Sequence, residues 1–142
     1  MIDTKALADD LSVSAFLPPQ RLAELHGRFK TIINNRPDAE EPGQPTSAEI
    51  EAEARRLGLA YVHLPVIAGQ ISDEQVRSFA EALAEHQGPA LAFCGTGRRS
   101  TMLWALSQAG RYGPEAVLKA AADAGYDLSS LRPRLEEKAI SA

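Results

Sequence analysis

Short apolar runs alternate along the chain with segments in which apolar residues recur at helical spacing. The runs cover residues 11–16, 30–34, 59–66 and 90–93. Two of the helical segments begin with capping-box sequences, at Thr46 and at Ser72. Strands that alternate with helices form parallel sheets joined by helical crossovers. We therefore predict an α/β fold with a central, mostly parallel sheet of about four strands flanked by helices, in which residues 11–16 form an edge strand.

The length of the chain and the absence of separators predict a single domain. The 142 residues match the usual size of one domain, and the 44% of apolar residues can supply a packed core. No internal repeat, low-complexity tract or long linker divides the sequence. We predict one domain over residues 1–142, with a core over about 11–126 and a C-terminal helical tail over 127–142.

Charge and composition narrow the classes of partner. Fifteen Lys and Arg against nineteen Asp and Glu give a formal charge of −4, which argues against binding to nucleic acid. No apolar run approaches the roughly 18 residues of a membrane span, and no secretory leader is visible. A single cysteine and three scattered histidines predict no disulfide, no metal site and no cofactor, and they fit a cytoplasmic protein.

Three loops follow the carboxyl ends of the predicted strands. In parallel sheets these ends lie at one edge, where ligands bind. The loops begin at Asn34, at Pro65 and at Cys94, so we expect them to converge on one site. Arg36 lies in the first loop and is predicted to add positive charge for an anionic substrate, with pairing to a neighbouring glutamate as the alternative.

The third loop has the composition of an anion-binding loop. Its residues between an apolar strand and a helix are Cys94, Gly95, Thr96, Gly97, Arg98 and Arg99. The glycines allow a sharp turn that points backbone N–H groups inward, and the start of the next helix adds a partial positive charge. The two arginines add guanidinium groups. We predict that this loop binds a small anionic substrate.

Cys94 lies at the mouth of this loop. Positive charge and N–H donors favour the thiolate, which is the nucleophilic form of cysteine. We therefore predict covalent group transfer through Cys94, with a hydroxyl of Ser100 or Thr101 donating to the sulfur when it leaves. The simpler alternative is a buried cysteine without chemistry, in which case the chain is a non-catalytic anion-binding module.

Several segments resemble the bacterial beta-lactamase-hydrolase-like family. They are residues 32–38, 41–45, 61–66, 69–71 and 94–106. The family is described as a phosphatase-like domain, related in fold to tyrosine and dual-specificity phosphatases, and is also labelled a sulfur transferase. The resemblance covers about residues 11–109. It implies a cysteine-phosphatase-like fold and a hydrolase that attacks a phosphoester through a covalent cysteine intermediate.

The resemblance also implies roles for individual residues. Cys94 matches the nucleophile, Gly97 the turn glycine, Arg99 the anion-binding arginine and Ser100 the hydroxyl that follows it. Family loops often have Arg where this chain has Gly95, and Thr where it has Arg98. Compared with these family loops, one positive charge therefore lies at position 98 instead of position 95.

The spacing within the loop keeps a second chemistry open. Only four residues separate Cys94 from Arg99, whereas cysteine phosphatases have five. A four-residue interval is similar to that of rhodaneses, which carry a persulfide. The alternative is therefore a rhodanese-like sulfurtransferase that uses a sulfane-sulfur donor and a thiol acceptor.

The general acid, which is the proton donor of a phosphatase site, has two candidates in this sequence. Residues 65–70, where phosphatases place an aspartate, contain no carboxylate. Protonation of the leaving group is worth about 10²–10⁴-fold in rate. Asp73 and Asp38 are the candidates, although Asp73 suits the first turn of a helix and Asp38 suits a turn.

Overall fold

The computed structural model describes residues 2–86 and 88–141 and has a five-stranded sheet at its centre. The strands are β1 (Lys5–Ala8), β2 (Leu11–Ser14), β3 (Thr31–Asn34), β4 (Ala60–His63) and β5 (Ala90–Phe93). Their order in the sheet is β1-β2-β5-β3-β4, and every neighbouring pair except β1–β2 is parallel. The predicted α/β fold with a mostly parallel sheet is confirmed.

The edge of the sheet differs from expectation. Residues 11–16 are predicted to form an edge strand, but the corresponding strand β2 lies inside the sheet. The edge is formed by β1, which pairs with β2 in antiparallel register, with Lys5 opposite Val13. The β1 sequence Lys-Ala-Leu-Ala lacks β-branched residues, so its strand propensity is low. Pairing with β2 and burial of Leu7 hold it in place.

Five α-helices cover the sheet. They are α1 (Ser47–Arg56), α2 (Asp73–Glu85), α3 (Arg98–Tyr112), α4 (Pro114–Asp123) and α5 (Arg132–Ser141), with short 3-10 helices at Pro19–Leu25 and Ser129–Leu131. The capping box at Ser72 is complete, since Ser72 and Gln75 exchange both hydrogen bonds. Helix α3 ends at Tyr112, and the Gly113 that follows it has φ +85° and precedes a proline. Within residues 2–86 and 88–141, no helix combines the length and the apolar character that crossing a membrane requires.

Alternate residues of β5 face apolar clusters on opposite sides of the sheet. Leu91 and Phe93 pack with α1 and the first 3-10 helix, whereas Ala90 and Ala92 face a larger cluster built with α2, α3, α4 and α5. Leu128 and Leu135 are fully buried in the larger cluster. The segment 127–142, expected as a tail, therefore supplies side chains to the core.

Leu135→Ala tests whether α5 is part of the cooperative fold. Because Leu135 is fully buried, the truncation is expected to lower the free energy of unfolding by about 2–5 kcal/mol. The matched control is Ile140→Ala on the same helix, where the side chain is 86% exposed and little change is expected. Urea denaturation measures both, and equal effects would show that α5 does not pack as described.

Candidate active site

The site lies where β3, β4 and β5 end at one edge of the sheet. Cys94 directly follows β5, and its side chain is fully buried. The chain then turns through Gly97, which has φ +96° and serves as the N-cap of α3. This left-handed conformation is accessible to glycine at no steric cost. The turn brings the Gly97 N–H to 3.1 Å from the Cys94 Sγ, where it donates to the sulfur.

Arg99 lies against the same loop. Its Nη2 would be 3.2 Å from a Cβ built on Gly95, so a side chain at position 95 would crowd the guanidinium. The Glu40 carboxylate raises the pKa of Arg99, and negative charge on Cys94 adds to the effect. Gly95 therefore lets the backbone of the loop lie close to the Arg99 guanidinium.

Glu40 holds Arg99 in place. Its two carboxylate oxygens accept from Arg99 Nη1 at 2.6 Å and Nη2 at 2.9 Å, and Arg99 Nη1 also donates to the Val66 carbonyl at 2.9 Å. Arg36 Nε donates to the same carboxylate at 2.9 Å. The two arginines, Arg99 first, lower the pKa of Glu40. Glu40 therefore stays ionised between two guanidinium groups.

Arg36 takes the ion-paired arrangement that sequence analysis gives as the alternative to substrate binding. Its side chain is only 8% exposed, it pairs with Glu40, and its guanidinium lies 4.6 Å from the centre of the Phe16 ring. The structure thus brings Arg36 to the site edge but engages it with protein groups.

Ser100 does not donate to the sulfur in this arrangement. Its buried hydroxyl donates to Asn35 Oδ1 at 2.8 Å, and Thr101 Oγ1 donates to the Gly97 carbonyl at 2.8 Å. Asn35 is fully buried and donates from Nδ2 to the Leu64 carbonyl at 2.9 Å. The expected bond from Ser100 or Thr101 to Cys94 is therefore replaced by bonds that tie α3 to the neighbouring loop and to its own first turn.

Arg98 bonds the C-terminal segment of the chain. Its Nη1 donates to the Asp127 carbonyl at 2.9 Å, and its backbone N–H donates to Thr96 Oγ1 at 3.3 Å. The same segment of chain supplies Tyr126, whose hydroxyl donates to the Thr96 carbonyl at 2.9 Å. The sequence carries no signal for this contact, because Tyr126 lies far along the chain from the loop.

Both candidate general acids bond protein groups other than Cys94. Asp73, at the start of α2, pairs with Lys138 and Arg134 of α5, which lower its pKa to about 2. Asp38 accepts the Ser47 N–H at 2.7 Å, at the start of α1. Among the residues that the structure describes, no three His, Cys, Asp or Glu side chains are grouped so as to hold a metal ion.

Comparison with known protein families gives one match over most of the chain. Residues 3–111 match the family described as the phosphatase-like domain of beta-lactamase hydrolase-like protein. A beta-lactamase hydrolase-like protein from Xylella fastidiosa is 40% identical over 114 residues, which is 79% of this chain and 26% of the relative. The chain therefore spans about a quarter of the length of that relative.

Solved structures with the same fold are described as phosphatases. A candidate phosphatase from Neisseria meningitidis has a TM-score of 0.85 and 32% identity, covering 94% of this chain and 96% of that chain. The core catalytic domain of a PP-IP phosphatase from S. cerevisiae has a TM-score of 0.69 at 15% identity, covering 94% of this chain and 83% of its own. The second likeness is one of fold alone.

Ser100→Ala tests the buried bond to Asn35. The substitution leaves Asn35 Oδ1 buried without its donor, so we expect the free energy of unfolding to fall by about 1–3 kcal/mol. Ser107→Ala is the matched control on α3, because its half-buried hydroxyl bonds only residues of its own helix, donating to the Trp104 carbonyl and accepting from Gln108 Nε2. Chemical denaturation of both variants measures the difference, and equal losses would contradict the importance of this bond.

Proposed function

This chain belongs to the family of the phosphatase-like domain of beta-lactamase hydrolase-like proteins, and on that premise we propose that it is a cysteine-dependent hydrolase of phosphoesters. One observation carries the proposal. The Cys94 Sγ accepts a hydrogen bond from the Gly97 N–H, with 3.1 Å between nitrogen and sulfur, and the Arg99 guanidinium lies beside the same sulfur. A nucleophile beside preorganised donors is what group transfer from an anionic substrate requires.

The first step forms a covalent intermediate. The phosphoryl group binds against the loop N–H groups and Arg99, and the Cys94 thiolate attacks phosphorus. A sulfur–phosphorus bond forms while the bond to the leaving oxygen breaks, and the leaving oxygen takes a proton from solvent. N–H donors and the guanidinium stabilise the charge that develops on the phosphoryl oxygens.

The second step regenerates the enzyme. Water attacks the phosphorus of the intermediate, the sulfur–phosphorus bond breaks, and the thiolate returns with inorganic phosphate as the product. The water loses its proton to solvent. The same donors stabilise the charge in both steps, because the phosphoryl group stays in the loop while the attacking and leaving groups exchange.

The contacts of Arg99 leave one edge for substrate. Both hydrogens of Nη1 are taken by Glu40 and the Val66 carbonyl, and one hydrogen of Nη2 is taken by Glu40. Nε and the remaining Nη2 hydrogen are the donors left for Cys94, which also bonds this side chain, and for two oxygens of a phosphoryl group, which this fork matches. Glu40 therefore fixes the plane of this fork rather than contacting the substrate.

The substrate class follows from the positions of the two candidate acids, Asp73 and Asp38, which bond other protein groups. Without a protein proton donor, the rate depends on how well the leaving oxygen carries negative charge. Aryl phosphates are therefore better substrates than alkyl phosphates in this proposal. The sulfur-transfer alternative draws no support from the comparisons. The curated relative is a beta-lactamase hydrolase-like protein, and the two solved structures are described as phosphatases.

Cys94→Ser and Arg99→Lys test the proposed chemistry with an aryl phosphate. Cys94→Ser removes the nucleophile and is expected to reduce turnover to the background rate. Arg99→Lys keeps the charge but loses the fork, so we expect kcat to fall about 10²-fold. The matched control is Arg111→Lys at the far end of α3, which should keep the wild-type rate.

Intact mass spectrometry separates the two covalent chemistries. Wild-type protein quenched during turnover should carry one phosphoryl group, absent from Cys94→Ser. Persulfide on Cys94 after exposure to thiosulfate, together with no phosphoryl adduct and no phosphate release, would overturn the proposal in favour of sulfur transfer. Phosphate release that survives in Cys94→Ser would also overturn it.

Asp73→Asn tests whether this carboxyl is the general acid. Because Lys138 and Arg134 hold its pKa at about 2, Asp73 is ionised near neutral pH and has no proton to donate. We therefore expect kcat and the alkaline limb of the pH–rate profile to stay as in the wild type. A fall of about 10²-fold or more would instead assign Asp73 the role of general acid.

A further inference from the structure

A segment outside the family match contacts the outer side of the anion-binding loop. Tyr126 Oη donates to the Thr96 carbonyl at 2.9 Å, and Arg98 Nη1 donates to the Asp127 carbonyl at 2.9 Å. Residues 126 and 127 lie beyond residue 111, where the match to the family ends. The two bonds bracket Gly97, the residue that donates to the Cys94 sulfur.

Both ends of one peptide unit are bonded. The Thr96 carbonyl and the Gly97 N–H belong to the same planar trans peptide, so they point in opposite directions. The carbonyl accepts from Tyr126 at 2.9 Å, and the N–H donates to Cys94 Sγ at 3.1 Å. The bond from Tyr126 that keeps the carbonyl pointing outward therefore also keeps the N–H pointing at the sulfur. In addition, each of the two hydrogen bonds polarises the peptide and strengthens the other.

Gly97 itself places little restraint on the orientation of this peptide. Gly97 has φ +96° and no side chain, so rotation of the preceding peptide meets no barrier from a Cβ. Tyr126 fills the space that this leaves, since its Oη would be 2.1 Å from a Cβ built on Gly97. Rotation of the peptide would break the bond to Tyr126 and the bond to Cys94 together.

We propose that Tyr126 is a positioning residue that locks the Thr96–Gly97 peptide and thereby keeps the Gly97 N–H on the Cys94 thiolate. The inference deepens the proposed function and rests on it, because it concerns the same nucleophile. It assigns to the C-terminal part of the chain a role in setting the reactivity of the loop.

Tyr126 is itself well anchored. Its backbone N–H donates to the Ala121 carbonyl at 2.8 Å at the end of α4, and the fully buried Leu128 follows two residues later. Burial raises the pKa of the Tyr126 hydroxyl, and the negative charge of Cys94 raises it further. The hydroxyl therefore keeps its proton near neutral pH and remains a donor.

Tyr126→Phe removes the hydroxyl and keeps the ring. Because Cys94 is the single cysteine, ultraviolet thiolate absorbance followed against pH reports its ionisation alone once the Cys94→Ser curve is subtracted. We expect the titration curve of Tyr126→Phe to move toward higher pH by about one unit. Without the bond from Tyr126, the Gly97 N–H no longer stays on the thiolate, and loss of a hydrogen bond to a charged group has about this effect. With an aryl phosphate, kcat should fall about tenfold while KM changes less.

Tyr112→Phe is the matched control. Tyr112 is half exposed at the end of α3, away from the loop, and its variant should titrate as the wild type does. Equal titration curves for Tyr126→Phe and wild type, or equal shifts in both tyrosine variants, would overturn the role of Tyr126. A wild-type curve without thiolate near neutral pH would instead overturn the proposed function itself.

Discussion

The buried side chain of Asn35 fixes the separation of the elements that form the site. Its Oδ1 accepts from Ser100 at the start of α3, and its Nδ2 donates to the Leu64 carbonyl after β4. The backbone N–H of the same residue donates to the Phe93 carbonyl at the end of β5. A buried polar atom without a partner costs more than a partnered one contributes, so these bonds act as constraints. The Val66 N–H continues the network by donating to the Asn35 carbonyl.

This network shows how a short parallel sheet holds residues 94–99 in a fixed position relative to the neighbouring loops. Val66 donates from its N–H to the backbone carbonyl of Asn35 and accepts from Arg99 at its own carbonyl. The residue whose side chain accepts from Ser100 is therefore linked through Val66 to the guanidinium. Glu40 completes the arrangement from the loop after β3. The charged groups are thus oriented before any substrate binds, which is the condition for electrostatic stabilisation of a transition state.

The sequence predicts the central strands, the helices and the convergence of three loops, because apolar periodicity and capping residues are local signals. It does not predict β1, whose strand forms only through pairing with β2. Arg36 pairs with Glu40 four residues later, which is the alternative that the sequence offers. Arg98 bonds the Asp127 carbonyl, a distant partner that its place in the loop does not indicate. Spacing along the chain can thus indicate a local partner for an arginine, whereas a distant partner depends on segments that the fold brings together.

The same distinction applies to the hydroxyl groups around the sulfur. Ser100 follows the loop directly, and sequence proximity alone suggests that it serves Cys94. In the fold, α3 turns this hydroxyl toward Asn35, and the contact that controls the Gly97 N–H comes instead from Tyr126. A loop with two glycines has few side chains with which to brace itself, so its rigidity has to come from neighbouring elements. The C-terminal segment, packed through Leu128 and Leu135, supplies that rigidity from outside the loop.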